Sequence, residues 1–442
     1  MADQCQRQHA VVRFSPPKRS SKQASAPKVF TACPHLVFKR SYIENTAFSD
    51  EHEAMKNIDS LFQQTHDEYV RTRYLAKMHN HALMNVRFQV RDAYEASVRP
   101  EFERKNGRSP ETGHEISKAI EKNLFYRTYS SFRYNAQEMV SQSKVAAVQR
   151  KLPEMIEAAR EIANENPAGG TLRTNPDLEL PKYITAQHVH LIPGGYHSEY
   201  TEDDVAQGVL LGVKQAGPLV NPLRDFGAVG SSVSAWLKHT YPDFTPSNVL
   251  DMGTQGGSNL MTYDEAFPGI EMYGIDIAGP GLRYGHAKAE MAGVKMHLSQ
   301  QNAETVDFAD ESFDLVVSSF FFHEIAIPAT KRILKEAYRV LKPGGLMVNV
   351  ELPPHKSCEP FLNFTFDWDT RHNNEPNYRN FRSQDPTELM TGGGFPGSET
   401  FEQVLPEVAT YPKEKLADVW DGKVEAPPHG RGGWFIFGSR KA

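Results

Sequence analysis

The sequence predicts an α/β protein: a doubly wound, mostly parallel sheet with helices on both faces, preceded by a helical region. Three observations predict it. Residues 248–257, NVLDMGTQGG, read as a buried strand that ends in Asp251 and runs into a glycine turn at Gly253, Gly256 and Gly257. Residues 270–277 read as a second strand ending in an acid, Asp276, 25 residues after Asp251. Residues 312–319 form a nearly continuous apolar strand, the pattern of one buried on both faces. A helical repeat follows, with Ile333, Leu334, Ala337, Val340 and Leu341 on one side.

The first strand is the most informative. Only glycine takes φ > 0 without strain and lets backbone approach a ligand closely. A strand, a glycine turn and helical sequence in that order open a nucleotide-type site. The carboxylate two residues before the first glycine selects among ligands. Phosphate at a helix N-terminus wants no negative neighbour, whereas Asp251 suits a ligand with a cationic amino-acid end. S-adenosylmethionine (SAM) carries an ammonium and a sulfonium and no phosphate. Asp276 stands where an acid takes both ribose hydroxyls. Gln300-Gln-Asn-Ala-Glu304 follows a third strand, residues 294–298, and offers Asn302 to adenine. After the stop at Lys342-Pro-Gly-Gly345, residues 346–352 start a fifth strand. Residues 386–395 read as the last helix with its glycine stop, and residues 434–437 as the closing strand.

Taken together, VLDMGTQGG, GIDI, QNAE, DESFDLVVSS, HE and RVLKPGGL resemble the core of class I SAM-dependent methyltransferases of the broad small-molecule type. The resemblance covers residues 246–352 of 442. It implies a Rossmann-like sheet and SAM as cofactor. It implies cofactor contacts from Asp251, Gly253, Gly256, Asp276, Ile277, Asn302, Ala303 and Ser318. One position departs from the family pattern: Gln255 replaces the usual middle glycine. The stretch HVHLIPGGYHSEYTEDDVAQG, around residue 190, looks like a lead-in present in some poorly characterised members of the family.

Four regions are expected: a disordered basic tail (1–45), a helical region (46–165), a linker with lid or lead-in helices (166–245) and the SAM-binding domain (246–442). Residues 1–42 hold eight Lys/Arg and one acid, Asp3, with Pro, Ser and Gln and no apolar period. The tail has no apolar core of a secretory signal. An organelle transit peptide is the alternative to a plain solvated tail, and Pro16, Pro17 and Pro27 oppose it. Between Glu51 and Val98, apolar residues recur at helical spacing (Val70, Tyr74, Met78, Ala82, Val86, Val90, Tyr94), and Pro100 is expected to end the run. A second run starts near Pro110, and Pro153 is expected to interrupt it. His188, His190 and His197 surround Pro193-Gly-Gly-Tyr196, but their spacing completes no metal set, and no metal is expected. A lid with Tyr196 over the cofactor site is the functional use of that turn.

The insert 353–382 holds Phe361, Phe364, Phe366, Trp368, Tyr378 and Phe381 among Asp367, Asp369, Arg371, His372 and Glu375. It follows the fifth strand, beyond the carboxyl ends where open α/β sheets bind ligands. Aromatic walls with a few polar groups suit small molecules, so Tyr196, Trp368, Asp367 and His372 are the substrate candidates. A cap or a homodimer surface is the competing use of the insert. Methyl transfer from SAM needs alignment and dryness, and a base where the nucleophile carries a proton. His323 and Glu324, just after the fourth strand, are the catalytic candidates, ahead of Glu351, His355, Asp367 and His372.

The net charge is −6, and residues 246–442 carry 18 Lys/Arg against 27 Asp/Glu. That balance argues against a nucleic-acid acceptor, whose affinity rests on phosphate contacts. A small-molecule acceptor is the favoured partner, with a macromolecular acceptor anchored by the basic tail, or a non-catalytic SAM-binding protein, as alternatives. A dinucleotide dehydrogenase would want G-x-G-x-x-G, which Gly253-Thr-Gln-Gly256 does not provide. No run of 18 apolar residues spans a membrane. Cys5, Cys33 and Cys358 are scattered, which suits a reducing compartment, the cytoplasm.

Overall fold

A nearly continuous apolar run can bury both faces of a strand only if helices cover both sides, and that requirement shapes the molecule. A computed structural model describes residues 58–212 and 228–442. Its strands are β1 (Thr171–Arg173), β2 (Asn248–Met252), β3 (Glu271–Asp276), β4 (Met296–Gln300), β5 (Phe313–Ser319), β6 (Leu341–Glu351), β7 (Thr400–Pro406) and β8 (Gly433–Arg440). They form one sheet in the order β1-β4-β3-β2-β5-β6-β8-β7. The first six pair in parallel, and β8 and β7 are antiparallel. From β2 the chain winds outward to β3 and β4, then returns to β5 on the other side. The strand order therefore reverses beside β2, and a crevice opens there at the carboxyl ends.

Successive strand residues serve opposite layers. Val249, Leu315 and Val317 face a core with Val233, Trp236 and Leu237 of the Ala228–Thr240 helix and Leu282 of the Gly279–Met291 helix. Leu250, Val316 and Met347 face the other core, with Ile333, Leu334 and Ala337 of the Ile327–Val340 helix. Each such buried side chain contributes about 1.5–3 kcal/mol. The expected strands and the helix between the fourth and fifth all form. Edge strands β1 and β7 were not foreseen. Thr171–Arg173 is too short to show alternation, and it lies in the expected linker. Glu290 fixes it there by accepting hydrogen bonds from the amides of Ala168 and Gly170 at 2.6 and 2.8 Å.

Two proline expectations fail. Helical structure runs without a break from His66 to Asn106 and stops at Gly107, whose φ is +72°. Pro100 lies inside it, in the first turn of the segment Arg99–Asn106 that follows a π-type turn, Tyr94–Val98, a place where a missing N–H is tolerated. Pro153 likewise lies within the helix Leu124–Glu165. An interior proline costs about 3 kcal/mol, and here buried Val148, Leu152, Met155 and Ile156 on both sides of it offset that cost. The expected stripe holds at Ala82, Val90 and Tyr94, which are buried, and departs at its start. Val70 and Tyr74 are exposed, while Thr72, Ala76 and His79 face inward.

The described residues belong to one compact unit. The helical region shares its cores with the sheet domain. Phe62, Leu152 and Met155 pack with Val205, Val209 and Tyr284. Tyr94, Ile120 and Tyr129 pack with Phe361, Phe364 and Trp368 of the insert. The basic tail 1–45, with Cys5 and Cys33, lies outside the described residues, as does Val213. Among the described residues, no helix is long and apolar enough to cross a membrane.

Candidate active site

The glycine turn after β2 is bent by Gly253 (φ +78°), Gln255 (φ +52°) and Gly257 (φ +71°). Gln255, the departure from the family pattern, thus adopts the left-handed conformation itself. Its side-chain oxygen accepts from the amide of Gly256 at 2.8 Å, which helps hold the turn. A Cβ on Gly253 would stand 2.5 Å from the ring of Phe321, so only glycine fits beneath that ring. The helix Gly279–Met291 approaches the turn so closely that any side chain at Gly285 would meet the backbone of Gly256.

Asp251 is buried at the end of β2. One carboxylate oxygen accepts from the Thr254 hydroxyl at 2.8 Å. The other, Oδ1, has no hydrogen-bond partner among the described residues. Burial pushes the acid up to about 7. An unpaired buried carboxylate is costly, and a cationic group at Oδ1 removes the cost. Asp276 ends β3. Its oxygens accept from the amides of Gln255 (2.8 Å) and Ala278 (2.9 Å), and burial raises it too. The carbonyl of Ile277 accepts from Gln300 at 3.0 Å. Asn302 Oδ1 accepts from the amide of Glu304 at 2.9 Å, and Ala303 is buried behind it. Ser318 donates to Asn349 across β5 and β6 at 2.9 Å, so its hydroxyl ties two strands together.

Past β5 the chain turns through Phe320, at φ +55°, into a 3-10 turn, Phe322–Glu324. A phenylalanine in the left-handed region is strained, and the turn aims His323 and Glu324 inward. Glu351, fully buried at the end of β6, accepts from the amides of Phe322 and Leu352 at 2.6 and 3.0 Å. Its Oε2 lies 2.8 Å from His323 Nδ1. Burial acts to lower His323, but Glu351, with Glu324 and Glu375, prevails and raises it to about 9. Glu324 Oε1 accepts from Tyr196 at 3.2 Å and lies 3.1 Å from His190 Nε2. His190 Nδ1 lies 3.1 Å from Glu375 Oε1. Burial opposes charge on His190, and Glu375 and Glu324 together hold it well above the ordinary histidine value. Tyr196, half-buried beside Glu324, is raised well above the ordinary tyrosine value by burial and by the Glu324 and Glu375 carboxylates.

The expected lead-in is thus part of the site. Gly194 and Gly195, at φ +82° and +63°, turn Tyr196 inward. The insert contributes through Glu375 and Tyr378 rather than through the residues expected. Trp368 does not form a substrate wall. It is 4% exposed, stacks 3.8 Å from the guanidinium of Arg133, and donates to Ser130 at 2.9 Å. Its apolar surface is satisfied inside the chain, and so are Phe361, Phe364 and Phe381, which leaves no dimer face of those rings. Asp367 is taken by buried Arg382 at 2.6 Å and by His355 at 3.1 Å. His372 packs on Trp368 at 4.6 Å, and burial with Arg133 lowers it to about 4. These three residues brace the insert. His190 carries no local signal of a ligating or binding role, because its partners Glu324 and Glu375 lie far along the chain.

Sheet order, glycine turn and acids at the ends of β2 and β3 define a class I SAM-dependent methyltransferase domain. Residues 249–345 match the family described as methyltransferase domain. A demethylmenaquinone methyltransferase of Thermus thermophilus is 37% identical over 139 residues, 31% of this chain and 60% of that protein. A ubiquinone/menaquinone biosynthesis C-methyltransferase of Nitrobacter hamburgensis is 33% identical over 156 residues, 33% of this chain and 59% of that protein. The chain therefore spans under two thirds of the curated relatives it matches. Among solved structures, phosphoethanolamine N-methyltransferase 2 of Haemonchus contortus with SAM is 18% identical at a TM-score of 0.33, over 50% of this chain and 54% of that one.

Proposed function

We propose that this protein is a SAM-dependent methyltransferase acting on a small-molecule acceptor. The single observation that carries the reading is Asp251 Oδ1, buried and unpartnered beside the glycine turn. The residues fit SAM: Asp251 takes the ammonium, Gly253 and Gly256 give the backbone room, Asp276 and the Ile277 segment hold the ribose, and Asn302 with Ala303 lines the adenine. Bound SAM supplies an electrophilic methyl on a good leaving group. Ser318 supports the end of β5 through Asn349 rather than touching the ligand with its hydroxyl.

On the acceptor side, Tyr196, Glu324 and His323 orient the nucleophile, and Glu351 fixes the His323 ring. His323 Nε2 faces Glu324 and Glu375 at 3.7 and 3.8 Å, which puts an imidazole and two carboxylates on the inner face of the site. Two relatives are named for quinone precursors, so hydroquinones and phenols are the first acceptors to test. The acidic balance of residues 246–442 supports a small acceptor over a nucleic acid. The scattered cysteines support the cytoplasm as its compartment.

Calorimetry with SAM, its demethylated product and NAD tests the cofactor, and methyl-labelled SAM with a panel of phenols, hydroquinones, amines and carboxylic acids tests the transfer. SAM binding with label in one small-molecule class is expected. NAD binding without SAM binding would overturn the cofactor assignment. Label only in RNA or protein would overturn the acceptor assignment.

A further inference from the structure

We propose a divalent metal site of mixed imidazole and carboxylate donors at His190, Glu324 and Glu375, on the acceptor side of the crevice. One ligand atom from each residue lies within 4.8 Å of the others. Glu324 is 9% exposed and Glu375 2% exposed. Each presents an Oε2 with no hydrogen-bond partner among the described residues. Buried carboxylate oxygens without a partner are costly without a cation, and the His190 side chain, 32% exposed, leaves the cluster open to solvent on one side.

The surrounding residues orient the donors as outer partners do in metal sites. Glu375 Oε1 lies 3.1 Å from His190 Nδ1 and Glu324 Oε1 3.1 Å from Nε2, so the ring is held between the two carboxylates. Asn373 sits 2.7 Å from the same Nδ1. His323 repeats the pattern. Its Nδ1 is held by Glu351 at 2.8 Å, and its Nε2 looks toward the Glu324 and Glu375 carboxylates. Three carboxylates and two imidazoles meet here, and the charge is negative even with both rings protonated.

One bland alternative uses the same atoms: a protonated His190 clamped between Glu324 and Glu375. It satisfies both Oε1 atoms and leaves both Oε2 atoms without a hydrogen bond, with His323 Nε2 3.8 Å from that of Glu375. A cation uses them. Imidazole with carboxylate suits zinc, manganese or iron, whereas magnesium prefers oxygen and water alone. A hydroxyl bound to such an ion loses its proton more readily. The site stands whether or not the methyl-transfer reading does, because it rests on the ligands alone.

The test uses the full chain, stripped with dipicolinate, dialysed, and titrated separately with zinc, manganese and magnesium chlorides without SAM. Bound metal is read by mass spectrometry and affinity by calorimetry. SAM affinity is measured on the same stripped sample. About one equivalent of zinc or manganese per chain is expected, with magnesium weaker. Glu375→Gln should weaken binding at least tenfold, and His190→Gln should do the same and serves if the first variant melts early. Glu359→Gln, a surface partner of Arg91, should leave it unchanged. Two results would overturn the site: a stripped, folded wild type that takes up no metal, and equal binding by wild type and both variants. Lost SAM binding with intact metal uptake would count against the methyltransferase reading alone.

Discussion

Asp251, Asp276 and Asn302 fall within residues 251–302 and stand at the ends of β2, β3 and β4. His190, Glu324 and Glu375 come instead from a lead-in turn, a 3-10 turn after β5 and an insert after β6. The proposed cofactor half is built from strand ends, where one short segment dictates both the fold and the candidate ligand group. The proposed acceptor half is assembled from turns at positions the fold brings together. The first can be read one motif at a time. The second exists only once the long helix and the insert have packed, so its integrity should depend on remote braces.

The largest expected effect strikes that dependence. Trp368→Ala removes a ring packed on Tyr129 and Arg133 and strands the Ser130 hydroxyl. Truncating a buried tryptophan typically costs about 3–5 kcal/mol. We expect a marked fall in melting temperature and turnover, and unchanged SAM affinity in the protein that remains folded. Chemical denaturation and SAM calorimetry on one preparation decide it. A parallel fall in SAM affinity would show that the two halves are not separable.

A smaller effect is expected in the other half. Asp276→Ala removes an acid that also holds the amides of Gln255 and Ala278. Loss of a charge-assisted hydrogen bond costs about 1.5–3 kcal/mol, or roughly 10- to 150-fold in SAM affinity. The contact is local to the cofactor half, so metal uptake at His190 should not change. If SAM affinity stays at the wild-type value, Asp276 is a loop anchor and not a ribose ligand.

This contrast also explains what was legible beforehand. The strands from β2 to β6, the acids at 251 and 276 and the pair His323–Glu324 follow from local pattern, because strand burial and glycine turns are properties of a few adjacent residues. Trp368, Asp367 and His372 were misassigned because an aromatic and polar mixture looks the same whether it lines a pocket or braces two helices. Only the position of Arg133, Arg382 and Ser130 distinguishes them. Pro100 and Pro153 misled for a related reason: a proline's local cost is fixed, but what offsets it is tertiary. His190 was set aside because the spacing of its neighbouring histidines is wrong for a metal, and its glutamate partners are separated from it by most of the sheet.

The smallest effect probes the carboxylate on which the cofactor assignment rests. Burial holds Asp251 at about 7 in the ligand-free protein, above its value of 3.8 in an unfolded chain. With a folded value above the unfolded one, the protonated acid is favoured by folding. That favourable contribution is present below pH 3.8 and is lost as pH rises through 7, when the buried charge forms without a partner. An ammonium next to Oδ1 reverses the preference, so SAM should bind the ionised form and release a proton below pH 7. Affinity should then be flat above about pH 8 and fall by about tenfold by pH 6, since one pKa unit corresponds to about 1.4 kcal/mol. Calorimetry in two buffers of different ionisation heat counts the proton directly. Asp251→Asn should bind more weakly and show no such slope. A wild type whose affinity is level from pH 6 to 8 would mean that the ammonium is held elsewhere, and the orphan oxygen would then need another cation.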